Sequence, residues 1–363
     1  MSAVSIGGDL VHYEVLGRGR AVLLLHGWVG SWRYWVPTMQ QLHLKYRVFA
    51  VDLYGFGDSA KNPKKYNPDE QLRMLLSFLR TIQQRKVAVV AHGLGAWVAA
   101  ELARRAPEMI AKMMLINAPV FDPGDLMTRP LLRPAVVNTV TATPPSIDDD
   151  DSRGDEPLAS LGRRGYTQQT DRPLLPDRDA FGGNSDPTIP NARLINRARL
   201  QEAAASLAAL RAAESVQRKT NEDNPLYKRL AGQEPGALLG RTLRRSSVHF
   251  DKLNQDVSRT DARVLTQSSA YYDPGAMLDT LRQLNMPVVM VHGEEDPLID
   301  APNEALWNHL TADKEDLCVP VPLAVGHFPM LDYNAFPRLL GSFLDTVDIS
   351  QLEIKERWRR RSR

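Results

Sequence analysis

Four short, nearly continuous apolar runs, at residues 21–25, 48–52, 87–91 and 113–117, alternate with stretches whose apolar residues recur at helical spacing. Strands that are apolar on both faces and separated by helices pack into a parallel sheet covered on both sides. The helical pattern is clear at 71–83, where Leu72, Leu75, Leu76, Leu79 and Ile82 share one face, and again at Leu94–Arg105, closed by Pro107. The same alternation resumes with a strand at 287–292, a helix at 303–310, a strand at 318–322 and a helix at about 335–347. The two halves predict a single α/β sheet whose chain is interrupted by an insertion. This divides the 363 residues into a core of 1–120 and 286–350, an insertion of 121–285 and a tail of 351–363.

The insertion differs in composition from the core. Residues 141–191 are rich in proline and glycine, poor in aromatics, and contain the acidic run 148–151. Such a segment buries too little surface to offset its ordering entropy and is expected to be disordered. Residues 192–219 carry Leu194, Ile195, Leu200, Ala203, Leu207 and Leu210 on one face, the pattern of a helix in a lid. The tail 355–363, KERWRRRSR, holds six basic residues and one acidic one. It could touch an anionic surface, although a solvated end is the commoner use of such a sequence.

Composition closes several classes of function. Lysine plus arginine number 45 against 43 aspartate plus glutamate, a net charge of +2, so no nucleic-acid partner is expected. The one cysteine, Cys318, cannot form an intrachain disulfide, and no Cys/His cluster has zinc-site spacing. No apolar run approaches the roughly 18 residues of a membrane span. The first ten residues lack the basic and apolar regions of a secretory signal. A cytoplasmic protein with no cofactor is expected.

Five segments fall where strands of the sheet end, which is where open α/β folds place their ligand sites. They are Leu23-Leu24-Leu25-His26-Gly27-Trp28-Val29-Gly30-Ser31-Trp32, Val51-Asp52-Leu53-Tyr54-Gly55-Phe56-Gly57-Asp58-Ser59, Val89-Val90-Ala91-His92-Gly93-Leu94-Gly95-Ala96-Trp97, Val291-His292-Gly293-Glu294-Glu295-Asp296-Pro297 and Val325-Gly326-His327-Phe328-Pro329. In this order they resemble the α/β-hydrolase fold superfamily, in particular its lidded branch of epoxide hydrolases, haloalkane dehalogenases and carbon–carbon bond hydrolases. The resemblance covers about 4–120 and 285–347. It implies a strained strand–turn–helix elbow of the form small-x-nucleophile-x-small, here Ala91-His92-Gly93-Leu94-Gly95. The nucleophile position is therefore Gly93.

A glycine offers no oxygen, sulfur or carboxylate for a covalent intermediate. The rest of the constellation that the resemblance implies is present: His327 as general base, Asp296 as its orienting acid, and the backbone N–H groups of Trp28 and Leu94 as an oxyanion hole. Ser31 and Ser59 occupy helix-start and turn positions, and neither has the elbow geometry of a nucleophile. Cys318 reads as a buried structural thiol, His92 as a structural histidine and His26 as a brace for the oxyanion loop. Aromatics at the sheet end, among them Trp32, Tyr54 and Phe328, suit a small apolar molecule. A dinucleotide fingerprint fails at Val98, where glycine or alanine is needed, and no P-loop occurs.

The chain is thus expected to descend from hydrolases of small apolar ester- or epoxide-like substrates and to lack serine-type covalent activity. Two alternatives stay open. One is an enzyme that uses a His327–Asp296 dyad without a covalent intermediate; the other is a non-catalytic ligand-binding or scaffold protein. A filled space above Gly93 favours the second, whereas an open one leaves both.

Overall fold

The computed structural model describes residues 2–132, 221, 223–314, 316–346 and 348–352. The segments 141–191, 192–219 and 355–363 discussed above lie outside the described residues. An eight-stranded sheet is built from β1 (Ser2–Ile6), β2 (Asp9–Leu16), β3 (Arg20–Leu25), β4 (Tyr46–Val51), β5 (Val87–His92), β6 (Ile110–Ile116), β7 (Val288–Gly293) and β8 (Cys318–Leu323), in the order β1-β2-β4-β3-β5-β6-β7-β8. β1 pairs antiparallel with β2 and β2 antiparallel with β4, while every other pair is parallel. β3, β5 and β7 are buried throughout except for Arg20, which is why they read as unbroken apolar runs in the sequence.

The helices are α1 (Val36–Leu42), α2 (Pro68–Thr81), α3 (Leu94–Arg105), α4 (Pro225–Leu230), α5 (Pro235–Thr242), α6 (Phe250–Val257), α7 (Arg263–Ser269), α8 (Pro274–Gln283), α9 (Glu304–Thr311), α10 (Pro329–Asp332) and α11 (Phe336–Asp345). α2 starts at Asn67, whose side chain accepts the Glu70 N–H, and Pro68 takes the first helical position, where no N–H is needed. α4 and α8 start in the same way, on Asn224 and Asp273. α3 instead begins at Gly93 with no side-chain cap and buries nine of its residues, many of them alanine, so that it lies close against the sheet. Helices α4 to α8 occupy the chain between β6 and β7, and all the described residues fall in one compact unit formed by Met1–Val136 and Ala213–Arg363. Among the described residues no helix is long and apolar enough to cross a membrane.

One buried cation fastens the end of α8. Lys314 Nζ donates to the carbonyls of Leu281, Arg282 and Leu284, and burial lowers its pKa from 10.5 to about 8. Between about pH 8 and 10.5 the unfolded chain therefore holds a proton that the folded chain has released. In that window this group makes stability rise with pH. Thermal melts on either side of the window should show the wild type gaining on Lys314→Met as pH rises. A gap that does not change with pH would remove this account.

Candidate functional site

The strand order places β3 between β4 and β5, so that the chain leaves β3 in one direction and β5 in the other. A crevice at the carboxyl ends of such a pair is the ligand position of an open α/β sheet. Two turns meet there, 26–30 after β3 and Gly93 after β5. Gly93 adopts φ 51° and ψ −111°, a backbone region that strains any residue with a side chain. Its N–H donates to Ile116 O at 2.9 Å, and its carbonyl accepts the Trp97 N–H at 3.2 Å. The turns approach so closely that a Cβ on Gly95 would lie 2.7 Å from His26 O, and one on Gly27 would lie 2.9 Å from His92 Nδ1. The small residues around the elbow are therefore required by contact between the two turns.

The space beside Gly93 is tight. A Cβ placed there would lie 3.2 Å from Trp28 Cε3 and 3.3 Å from Gly27 Cα. The Trp28 indole is fully buried and held by a 3.1 Å hydrogen bond from Nε1 to Ser268 Oγ on α7. The main-chain N–H groups of Trp28 and Leu94 donate to no other described residue.

Asp296 and His327 are brought together: His327 Nδ1 lies 2.8 Å from Asp296 Oδ2, and both side chains are buried. Burial pushes the Asp296 carboxyl up, but the charge and hydrogen bond of His327, with the N–H groups of Leu298 and Ile299, outweigh it and leave the pKa lowered. His327 Nε2 is buried and has no hydrogen-bond partner. Asn117, at the end of β6 with φ 44°, fixes the pair from behind. Its amide accepts the Gly293 N–H at 2.8 Å and donates to His327 O at 3.0 Å. In the sequence Asn117 marks only the end of a strand; the signal that could have given it a role is a polar side chain at the carboxyl end of a buried run.

The other residues singled out from the sequence separate. Phe328 is fully buried and packs edge-on against His327, with their ring centroids 5.0 Å apart. His92 stacks against His327 at 4.5 Å. Tyr34 accepts the Gly27 N–H at 2.7 Å, which leaves its own proton for His92 Nδ1 at 3.0 Å. Burial, then the neighbouring His327, holds the His92 pKa well below 6.5, so that its imidazole is neutral. His26 bridges Gly27 O and the Leu53 N–H. Ser31 accepts the Arg33 N–H and donates to Asp256, and Ser59 donates to Asp52 O. The Cys318 thiol is buried and pushed up to about 11. Tyr54 lies apart from this group, its hydroxyl on Ile6 O and its backbone on Gln71. Trp32 lines a cavity of about 510 Å³ between α1 and α6. Neither that cavity nor two others, of about 610 and 590 Å³, includes Gly93, Leu94 or His327 in its wall.

Among the described residues one trio, His12, Asp52 and Asp58, gathers possible metal-ligating atoms within 4.8 Å. Its carboxylates already have partners. Asp52 accepts the N–H groups of Trp32 and Asp58 and bonds His12, and Asp58 pairs with Arg33 and Arg259. The trio therefore fastens loops together. At the elbow the structure brings together a buried His327–Asp296 pair, the N–H groups of Trp28 and Leu94, and a glycine at the turn.

Residues 20–142 match the α/β hydrolase fold family. Epoxide hydrolase 4 of Mus musculus is 33% identical over 112 residues, 30% of this chain and 31% of that protein. The 2-hydroxy-6-oxo-6-(2'-aminophenyl)hexa-2,4-dienoic acid hydrolase of Metapseudomonas resinovorans is 33% identical over 99 residues, 25% of this chain and 33% of that protein. The chain thus spans about a third of the length of these curated relatives. Among solved structures, a serine-to-glycine mutant of an N-acyl homoserine lactonase in complex with N-hexanoyl homoserine lactone superposes with a TM-score of 0.56 at 17% identity, covering 94% of this chain and 96% of that one.

Proposed function

We propose that this protein, which has the α/β-hydrolase fold, is a relative of small-molecule hydrolases that has lost covalent catalysis and acts by binding. The observation that carries the reading is Gly93. The residue at the elbow has no side chain, and the place a Cβ would take lies tightly against the Trp28 indole, 3.2 Å from its ring. The named relatives are an epoxide hydrolase and a hydrolase of an aminophenyl-substituted dienoic acid, so the inherited substrate class is small and largely apolar. The Asp296–His327 pair then serves as a buried brace that ties the turns after β7 and β8 to Asn117. The lactonase mutant crystallised with its lactone supports binding without a serine on this fold.

A second reading is favoured by a different observation. His327 Nε2 is unpartnered and the amides of Trp28 and Leu94 are unclaimed, so a base and two oxyanion donors stand ready for a water-mediated reaction. Hydrolysis of short-chain aryl esters by wild type and His327→Ala separates the two. The expected result is the same background rate for both proteins. Turnover by the wild type that His327→Ala abolishes would overturn the loss of catalysis and establish the dyad.

A further inference from the structure

We propose that Ser247 is a phosphorylation site for a basophilic serine/threonine protein kinase, one whose substrate cleft is lined with carboxylates. Residues 244–248 read Arg244-Arg245-Ser246-Ser247-Val248, with guanidinium groups three and two positions before the hydroxyl and an apolar residue directly after it. An acidic cleft selects its substrates by such a charge pattern, and the apolar residue adds a contact beside the reacting hydroxyl. The pattern Arg-Arg-x-Ser occurs once more, at Arg359-Arg360-Arg361-Ser362, but there Arg363 stands where the apolar residue is needed.

The fold leaves this segment open to an enzyme. It lies in the turn between α5 and α6, outside both helices. Arg244, Arg245 and Ser246 are exposed, and Val248 is 86% exposed. Neither guanidinium makes a hydrogen bond or an ion pair among the described residues, so both can turn to a kinase carboxylate without breaking a contact of the fold. Two short-range backbone bonds hold the turn, from the Ser247 N–H to Arg244 O at 2.9 Å and from the Phe250 N–H to Ser247 O at 3.0 Å. Exposed local bonds of this kind open readily into the extended form that a cleft requires. The half-buried Ser247 hydroxyl accepts the His249 N–H at 3.3 Å and donates to no described residue, which leaves its proton for transfer. In that transfer Ser247 Oγ forms a bond to the γ-phosphorus of ATP and the bond from that phosphorus to the bridging oxygen breaks. ADP leaves, and the hydroxyl proton passes to the catalytic carboxylate of the kinase. The phosphate then stands beside Arg244 and at the start of α6, which has no side-chain cap, and both favour the added negative charge. Ser247 also lines the cavity of about 590 Å³ whose wall includes Val325 and Gly326, the residues that lead into His327. The modification therefore brings charge up to the loop that carries the buried pair.

The site does not depend on whether His327 turns over a substrate, so a kinase assay decides this proposal and the ester assay decides the other. Incubation of the folded full chain with the catalytic subunit of cAMP-dependent protein kinase, magnesium and ATP tests it. The intact mass should rise by one phosphoryl group, and fragmentation should place that group on Ser247. Ser247→Ala should abolish incorporation at this turn and Ser246→Ala should leave it. Arg244→Ala/Arg245→Ala should slow it at least about tenfold, the scale of one lost charge contact. That double variant, at exposed positions, carries the test if Ser247→Ala does not fold. No incorporation into the folded chain, a phosphoryl group on Ser246 or Ser362 in place of Ser247, or an unchanged rate in Arg244→Ala/Arg245→Ala would each overturn the proposal.

Discussion

Exchange of Asp52 for alanine should cost the fold about 3–5 kcal/mol, the range for removing one partner from a buried charged network. The carboxylate is fully buried at the end of β4. It accepts the Trp32 N–H at 2.9 Å and the Asp58 N–H at 2.9 Å, and lies 3.0 Å from His12 Nδ1. Alanine leaves two amides and an imidazole without partners in the interior, where water cannot replace the lost bonds. Burial alone would raise the Asp52 pKa, but His12, His26 and the two amides overcome it and leave it lowered. A lowered carboxylate contributes stability above its unfolded value of 3.8 that is lost as pH falls through the folded value. The His12 pKa is raised, because the hydrogen bond and charge of Asp52 outweigh burial. Its contribution is therefore present below 6.5 and lost as pH rises through its folded value. Asp52→Asn keeps the shape and removes the charge. Denaturant melts should show it milder than Asp52→Ala and without the wild type's loss of stability above neutral pH. A loss under about 1 kcal/mol for the alanine variant, the ordinary range for surface changes, would show that the two loops hold themselves.

The parallel part of the sheet is legible in the sequence because β3, β5 and β7 are buried on both faces and leave an uninterrupted apolar signature. β1 and β2 escape such a reading, although Gly7 and Gly8, both at positive φ, make the tight turn that joins them. Their burial is partial and irregular, and neither the edge strand β1 nor its neighbour β2 carries an apolar run long enough to stand out. The helices between β6 and β7 escape it for a different reason. α4 to α8 are six to ten residues long, which is too few for helical periodicity to accumulate; the starts of α4, α5 and α8 are marked by cap or proline residues that also occur in turns, and those of α6 and α7 by neither. At the site, residue identity can be read from sequence but contact cannot. Gly93, Asp296 and His327 are visible as strand-end motifs, whereas Asn117 and Ser268 act through hydrogen bonds to groups far along the chain. The position of the Trp28 ring over Gly93, on which the functional reading depends, is a packing fact that no local pattern encodes.

That packing makes Gly93→Ser the most informative single change at the elbow. At φ 51° a side chain should cost about 1–3 kcal/mol. The new Cβ would also press on the Trp28 ring from 3.2 Å, so that the ring must give by a few tenths of an ångström. The variant should therefore melt below the wild type and still fold. Its hydroxyl would join a histidine whose Nε2 is unpartnered and whose Nδ1 is held by Asp296 at 2.8 Å, at a turn where the Trp28 and Leu94 amides donate to no other described residue. Single general-base and oxyanion contributions are each worth about a hundredfold or more. Gly93→Ser should accordingly hydrolyse p-nitrophenyl acetate at least about a hundredfold faster than the wild type, with an acetyl group on Ser in the intact mass at early times. Both signals should vanish in Gly93→Ser/His327→Ala. The smallest activated ester is the right probe because Gly93, Leu94 and His327 are all buried. If the folded serine variant takes up no acetyl group, the His327–Asp296 pair and the two amides are not aligned for catalysis at this turn. If it does, the base, its acid and the oxyanion donors are assembled around the elbow and need only a hydroxyl for covalent chemistry.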